Sequence, residues 1–134
     1  MIRLNSRAQQ RVIEALRHDL KKDPNSLLAD LVFKKVITGD QARDIVLKRR
    51  HIFDMLTIQR EAMGNKQEAM ATRDPSFYGL AGKQFADAAD HAIKAGFNSY
   101  AAIFLQEAIN AKKLFRAPAN EILALQKTLE GLKQ

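Results

Sequence analysis

Residues 74–115 give the clearest indication of architecture, and they read DPSFYGLAGKQFADAADHAIKAGFNSYAAIFLQEAINAKKLF. Asp74-Pro75 is typical of a helix start, because aspartate caps the first turn and proline fits the first helical position. Gly96 suits the left-handed residue that ends a helix. Apolar residues recur at helical spacing before and after Gly96: Phe77, Ala81, Phe85, Ala88, Ala89 and Ala92, then Ala101, Phe104, Leu105, Ala108 and Phe115. Small residues on facing stripes let two helices approach closely, so this segment predicts a helical hairpin.

The segments that precede the hairpin also carry helix signals. Ser6 with Gln9, and Thr38 with Gln41, have the spacing of a capping box at a helix N-terminus. The apolar stripe that follows Thr38 predicts one helix through Ala42, Ile45, Val46, Ile52, Phe53 and Leu56. The pattern weakens over residues 59–73, which are the best candidate for a hinge between the two halves; the sequence leaves open whether this stretch is helix or hinge.

The fold class predicted from these signals is all-α. No segment sustains the alternation of apolar and polar residues that marks a strand. Short connections between amphipathic helices favour antiparallel neighbours, so we expect a compact bundle of about five or six mostly antiparallel helices. Residues 1–134 then form a single helical domain with a basic N-terminal half, 1–73, and a near-neutral C-terminal half, 74–134.

Composition narrows the class of protein further. The chain has 134 residues and no cysteine, which excludes disulfides and thiol chemistry and fits a reducing compartment. No segment approaches the roughly 20 apolar residues of a membrane span, and residues 1–6 lack the apolar core of a signal peptide. We expect a cytoplasmic protein.

The charge distribution points to an anionic partner. Of a net charge of +7, residues 1–73 carry +6. Basic surfaces of this kind attract nucleic acid or acidic protein surfaces, although a merely solvated face explains them equally well. The predicted contacts to phosphate or to an acidic partner are Arg7, Arg11 and Lys22, which cluster on one face of the first helix, and Arg43 and Arg50, which are seven residues apart on the third.

Three further residues are predicted to bind a partner protein. Arg49 falls near the middle of the apolar stripe of the predicted third helix, where an unpaired arginine is costly unless it faces a partner. Met63 and Met70 are seven residues apart, and flexible methionine side chains suit adaptable surfaces.

No pattern for catalysis stands out. Asp87 and His91 are spaced like half of a metal site on a helix, but a second pair of ligands is missing. The chain also lacks a glycine-rich phosphate loop. We therefore expect no enzyme activity, no cofactor and no metal ion.

Two short resemblances accompany these patterns. Residues 28–47 resemble the helix-turn-helix element in N-terminal domains of secretion and pilus assembly ATPases, over about twenty residues whose motif is mostly the capping box at Thr38. Residues 77–115 resemble one helical hairpin of a tetratricopeptide array, without a second copy at the expected period. Neither assigns the chain to a family.

The function expected from the sequence is a non-enzymatic interaction protein, such as an adaptor, chaperone or assembly subunit, that docks another protein through helix faces. The alternative is a nucleic-acid-binding accessory protein that uses the basic half. The sequence leaves a homo-oligomer open.

Overall fold

The computed structural model describes residues 4–18 and 24–132, and over those residues it contains helices and no β-strand. The helices are α1 (Ser6–His18), α2 (Pro24–Phe33), α3 (Gly39–Leu47), α4 (Arg49–Thr72), α5 (Pro75–Lys94), α6 (Asn98–Phe115) and α7 (Ala119–Leu132). The all-α class is confirmed, but the seven helices of the described ranges exceed the five or six expected. None of these helices is both long and apolar enough to cross a membrane.

The α5–α6 hairpin confirms the prediction for residues 74–115. A Cβ added at Gly82 would lie 3.5 Å from the Cβ of Ala111, and one added at Gly79 would lie 3.0 Å from the Phe115 ring. This pairing of early α5 with late α6 makes the two helices antiparallel. The buried side chains between them are mostly small: Ala81, Phe85, Ala88, Ala89, Ala92, Ala101, Phe104, Leu105 and Ala108.

The hinge alternative for residues 59–73 is wrong, because α4 runs without interruption from Arg49 to Thr72. Its buried positions in this stretch are Ala62 and Ala69, at 0% and 1% exposure. They lie seven residues apart and therefore share one side of α4. Alanine contributes little to an apolar pattern, so the helix continues where the sequence signal fades. The helix ends at Arg73, in the left-handed region at φ 59°.

The single helix expected through Ala42 and Leu56 is also wrong, because the helix is interrupted at Lys48, between α3 and α4. The Lys48 amide donates to the Asp44 carbonyl at 3.1 Å and completes α3. Its own carbonyl accepts from His51 at 3.0 Å and starts α4. Ile45 on α3 and Ile52 on α4 are both buried, on either side of this interruption.

Two of the predicted helix starts are confirmed. Thr38 Oγ1 accepts from the Gln41 amide at 3.1 Å, and Gln41 Oε1 accepts from the Thr38 amide at 2.8 Å. Asp74 Oδ1 accepts from the Ser76 amide at 3.0 Å. Both starts satisfy backbone N–H groups that have no partner within the helix.

The capping box predicted at Ser6 is wrong. Asn5 Oδ1 accepts from the Ala8 amide at 2.8 Å instead. Gln9 is buried, donates to the Leu4 carbonyl at 2.8 Å and accepts from the Ser99 amide at 3.2 Å. The Gln9 side chain, expected to cap α1, thus ties α1 to the start of α6.

Branched apolar residues of the first three helices complete the core: Val12, Ile13, Leu16, Leu28, Leu31 and Ile45.

Candidate functional site

An apolar groove lies between α2 and α3. Its walls are Leu28 and Ala29 on α2, and Ala42, Val46 and Leu47 on α3, with Asn25 and Arg43 also lining it. The volume of this open groove is about 400 Å³. Apolar atoms dominate this lining, so water in the groove has few groups to bind and is readily displaced by an apolar side chain.

Two large apolar side chains of α2 and α3 are exposed to solvent, and one of them, Leu47, lines the groove. Leu47 is 83% exposed and Phe33 is 85% exposed. Each is the last residue of its helix. Phe33 follows Ala29 by four residues, so both lie on one side of α2. The sequence analysis missed Phe33 and Leu47 because apolar stripes indicate buried helix faces. The pattern that could have revealed these exposed side chains is a large apolar residue at the end of a helix.

A basic cleft forms beside α1. Arg7 and Arg11 lie one turn apart on α1, and Lys35, from the α2–α3 connection, joins them in a cleft of about 300 Å³. Lys35 adopts the left-handed conformation at φ 60°. None of the three cations has an ion-pair partner among the residues that the structure describes. The predicted pairing of Arg7 with Arg11 on one face is therefore present, with a third cation added.

A larger cleft separates the end of α1 from the middle of α4, with a volume of about 470 Å³. Met63, predicted as a partner contact, lies in it and is 38% exposed. Arg17 and Arg60 line the same cleft. Arg17 donates from Nη2 to Gln59 Oε1 at 2.9 Å. Burial raises the pKa of the Tyr100 phenol, an effect that the nearby Arg17 guanidinium partly opposes.

The other predicted residues do not converge on one site. Met70 is 63% exposed on α4 and lines none of the clefts described above. Arg43 lies at the α2–α3 groove, 4.0 Å from Asp40. Arg50 lies on α4, across the break at Lys48, so the helix face that it was expected to share with Arg43 does not exist.

The placement predicted for Arg49 is wrong, and the placement of Lys22 is not shown. Arg49 begins α4 and is exposed, because the break at Lys48 removes it from the apolar stripe. An exposed guanidinium at this point remains solvated and carries no burial cost that a partner must relieve. Lys22 lies outside the described residues.

His91, which the sequence analysis paired with Asp87, contacts His51 instead. His51 Nδ1 lies 3.0 Å from His91 Nδ1, and both rings are half-buried. One ring must donate and the other accept, so the pair ties the start of α4 to the end of α5. Among the described residues, no three side chains of metal-ligating type gather at one point. The sequence could not reveal this pair because forty residues separate its members.

Comparisons of the chain with models of known protein families, with curated proteins and with solved structures found no match in any of the three. The clefts and exposed side chains of α1–α4 are therefore the features from which a function can be inferred.

Proposed function

We propose that this protein is a non-enzymatic adaptor or assembly subunit that docks an acidic, amphipathic segment of another protein in the α2–α3 groove. The observation that carries the proposal is the 83% exposure of Leu47 on a groove with apolar walls. Phe33, 85% exposed, lies one turn beyond the groove residue Ala29 on the same side of α2. Burying one such side chain contributes about 1.5–3 kcal/mol. Grooves of this type accept a helix that presents apolar residues at positions i, i+3, i+4 and i+7.

The acidic character of the partner follows from charge. The groove belongs to the half that carries +6 of the net charge of +7. Arg43 lies on the groove, and its contact with Asp40 at 4.0 Å joins two highly exposed side chains, so it contributes little. Carboxylates on a docked segment would therefore find uncompensated positive charge, which speeds association and selects against basic segments.

A peptide selection tests this proposal even though the partner is unidentified. A displayed library of amphipathic helical peptides would be selected on the wild-type protein and on Leu47→Asp. We expect the wild type to enrich peptides with apolar residues at helical spacing and acidic residues elsewhere. Leu47→Asp should lose them, with affinity reduced at least tenfold.

The matched control is Leu123→Asp, because Leu123 is 50% exposed on α7 in the other half of the chain. It should bind the selected peptides like the wild type. Enrichment of basic peptides, or equal binding by Leu47→Asp and the wild type, would remove the groove from consideration.

A second candidate function has its own observation, the convergence of Arg7, Arg11 and Lys35 without acidic partners among the described residues. Three adjacent cations can follow phosphates, which supports a nucleic-acid-binding accessory role. Binding of labelled duplex DNA or single-stranded RNA should then weaken with salt, with a log–log slope of about 2–3 for three phosphate contacts. Arg11→Gln should lower that slope by about one. No retention at low salt would exclude this function.

Cellular location and self-association remain predictions of the sequence. The lack of cysteine is compatible with the cytoplasm. Sedimentation of the wild type and Leu47→Asp would show whether the exposed apolar surface also joins two copies of the chain.

A further inference from the structure

We infer that the cleft between α1 and α4 binds a small amphiphilic carboxylate, with the acid held by Arg17 and Arg60 and the aliphatic chain lying against the apolar wall. This site is separate from the α2–α3 groove and is independent of the docking function proposed above. Its volume of about 470 Å³ falls within the range of about 300–1,000 Å³ that is typical of small-molecule sites.

The charge of the cleft favours an anion. Arg17 and Arg60 both line it, whereas no aspartate or glutamate of the described ranges does. Neither arginine has an ion-pair partner among the residues that the structure describes. A guanidinium presents its N–H groups in a fixed fork that matches the two oxygens of a carboxylate. The cleft therefore offers anion-binding groups whose charge these surroundings leave unbalanced.

Gln59 positions one of these groups. Its Oε1 accepts from Arg17 Nη2 at 2.9 Å, which holds the guanidinium across the gap between α1 and α4. Because an amide oxygen is neutral, this bond orients Arg17 without cancelling its charge. The remaining N–H groups of Arg17 stay available for a ligand.

Much of the remaining lining is apolar. Phe53, Leu56 and Met63 come from α4, with Arg60 on the turn between Leu56 and Met63, and Leu16 adds to this wall from α1. Leu16 is 5% exposed, so it forms a fixed surface, while Met63 is 38% exposed and can adapt to a chain laid against it. A ligand that carries charge alone would leave this wall in contact with water. The combination selects an anion with an aliphatic chain.

Isothermal titration calorimetry with defined probes tests the inference. Dodecanoate, below its micelle concentration, should bind the wild-type protein with saturable heat. Acetate supplies the carboxylate without the chain, and dodecanol supplies the chain without the charge, so both should bind at least tenfold more weakly. Equal binding of dodecanol, or no binding of dodecanoate up to its solubility limit, would overturn the assignment.

Variants locate the site. Arg17→Gln and Arg60→Gln should each weaken dodecanoate binding by about 10- to 100-fold, since a hydrogen bond to a charged group contributes that factor. Met63→Gln should weaken it as well, with little effect on folding, because the side chain is partly exposed. Unchanged binding in both arginine variants would contradict the proposal.

Matched controls come from the other surfaces of the chain. Arg43→Gln removes an exposed arginine at the α2–α3 groove, and Met70→Gln removes a methionine seven residues beyond Met63. Both should bind dodecanoate like the wild type. Leu47→Asp should also bind it normally, so failure of the docking proposal and failure of this one would give different results.

Discussion

The α4–α6 segment and the α1–α3 segment build their helix contacts from different side chains. Between α5 and α6 the buried positions are mostly alanine, and Gly82 brings the backbones closer still. Among α1, α2 and α3 most buried apolar positions are branched: Val12, Ile13, Leu16, Leu28, Leu31 and Ile45. Small side chains let long helices pack along their lengths. Short helices separated by branched side chains leave clefts at their edges, and all the clefts described above lie among α1–α4.

Ion pairs that join two helices occur on the α4–α6 segment, which we call the packed segment. Lys66 lies 2.8 Å from Glu107, and Lys112 lies 3.4 Å from Glu121 on α7. Arg7, Arg11 and Arg17 on α1 have none among the described residues. The packed segment therefore contains these ion pairs between helices, whereas the three cations of α1 line clefts.

The largest difference in stability should appear when one phenylalanine in each segment is replaced by alanine. Phe104 is 1% exposed and Phe33 is 85% exposed. Phe104→Ala should lower the free energy of unfolding by about 3–5 kcal/mol, because it removes contacts and leaves a cavity. Phe33→Ala should change it by less than about 0.5 kcal/mol. Urea unfolding followed by far-ultraviolet circular dichroism measures both. Similar losses of stability in the two variants would contradict the distinction between the packed α4–α6 segment and the α1–α3 segment.

Enlarging one alanine in each segment should separate stability from binding. Ala89 is 1% exposed in α5, whereas Ala29 is exposed and lines the α2–α3 groove. Ala89→Leu should cost about 1–3 kcal/mol, since the surroundings must move to admit the extra volume. Ala29→Leu should leave unfolding nearly unchanged but fill the groove, so it should weaken the selected peptides. Retained peptide binding by a stable Ala29→Leu would place docking elsewhere.

A smaller effect is expected at the start of α3. Thr38→Ala removes the hydroxyl that accepts from the Gln41 amide at 3.1 Å. It should lower the free energy of unfolding by about 1 kcal/mol, the usual cost of losing a helix cap. Thr128→Ala is the control, because its hydroxyl donates to the Ala124 carbonyl within α7 and is exposed. Equal effects of the two substitutions would show that the cap contributes nothing.

Sequence patterns predict the packed segment better than the clefts, for a physical reason. Helix caps and apolar stripes act over a few residues, so the starts at Thr38 and Asp74 and the α5–α6 hairpin are predicted correctly. The break at Lys48 depends on how α3 and α4 pack against different neighbours, and it moves Arg49 into solvent. Clefts depend on contacts between distant segments, such as Arg17 with Gln59, forty-two residues apart. Residue type alone singles out a methionine such as Met63, whereas tertiary packing places it beside two arginines.

The cap of α5 offers the smallest and most specific test, because it carries a charge that the cap of α3 lacks. Hydrogen bonds from the Ser76 hydroxyl, at 2.6 Å, and from its amide lower the pKa of the Asp74 carboxyl. The unfolded chain therefore binds a proton at higher pH than the folded one. The stabilising effect of the charge is present above the ordinary aspartate range, near pH 4, and is lost as the pH falls through the lowered value.

Asp74→Asn isolates this effect, since asparagine caps about as well as aspartate but does not titrate. Urea unfolding should show the wild type more stable than Asp74→Asn at pH 7, with the difference shrinking towards pH 3. The loss caused by Thr38→Ala should stay constant over the same range, because neither Thr38 nor Gln41 titrates. A difference at Asp74 that is independent of pH would mean that only the geometry of the cap contributes, as at α3. The two segments would then begin their helices by the same mechanism and differ only in how the helices pack.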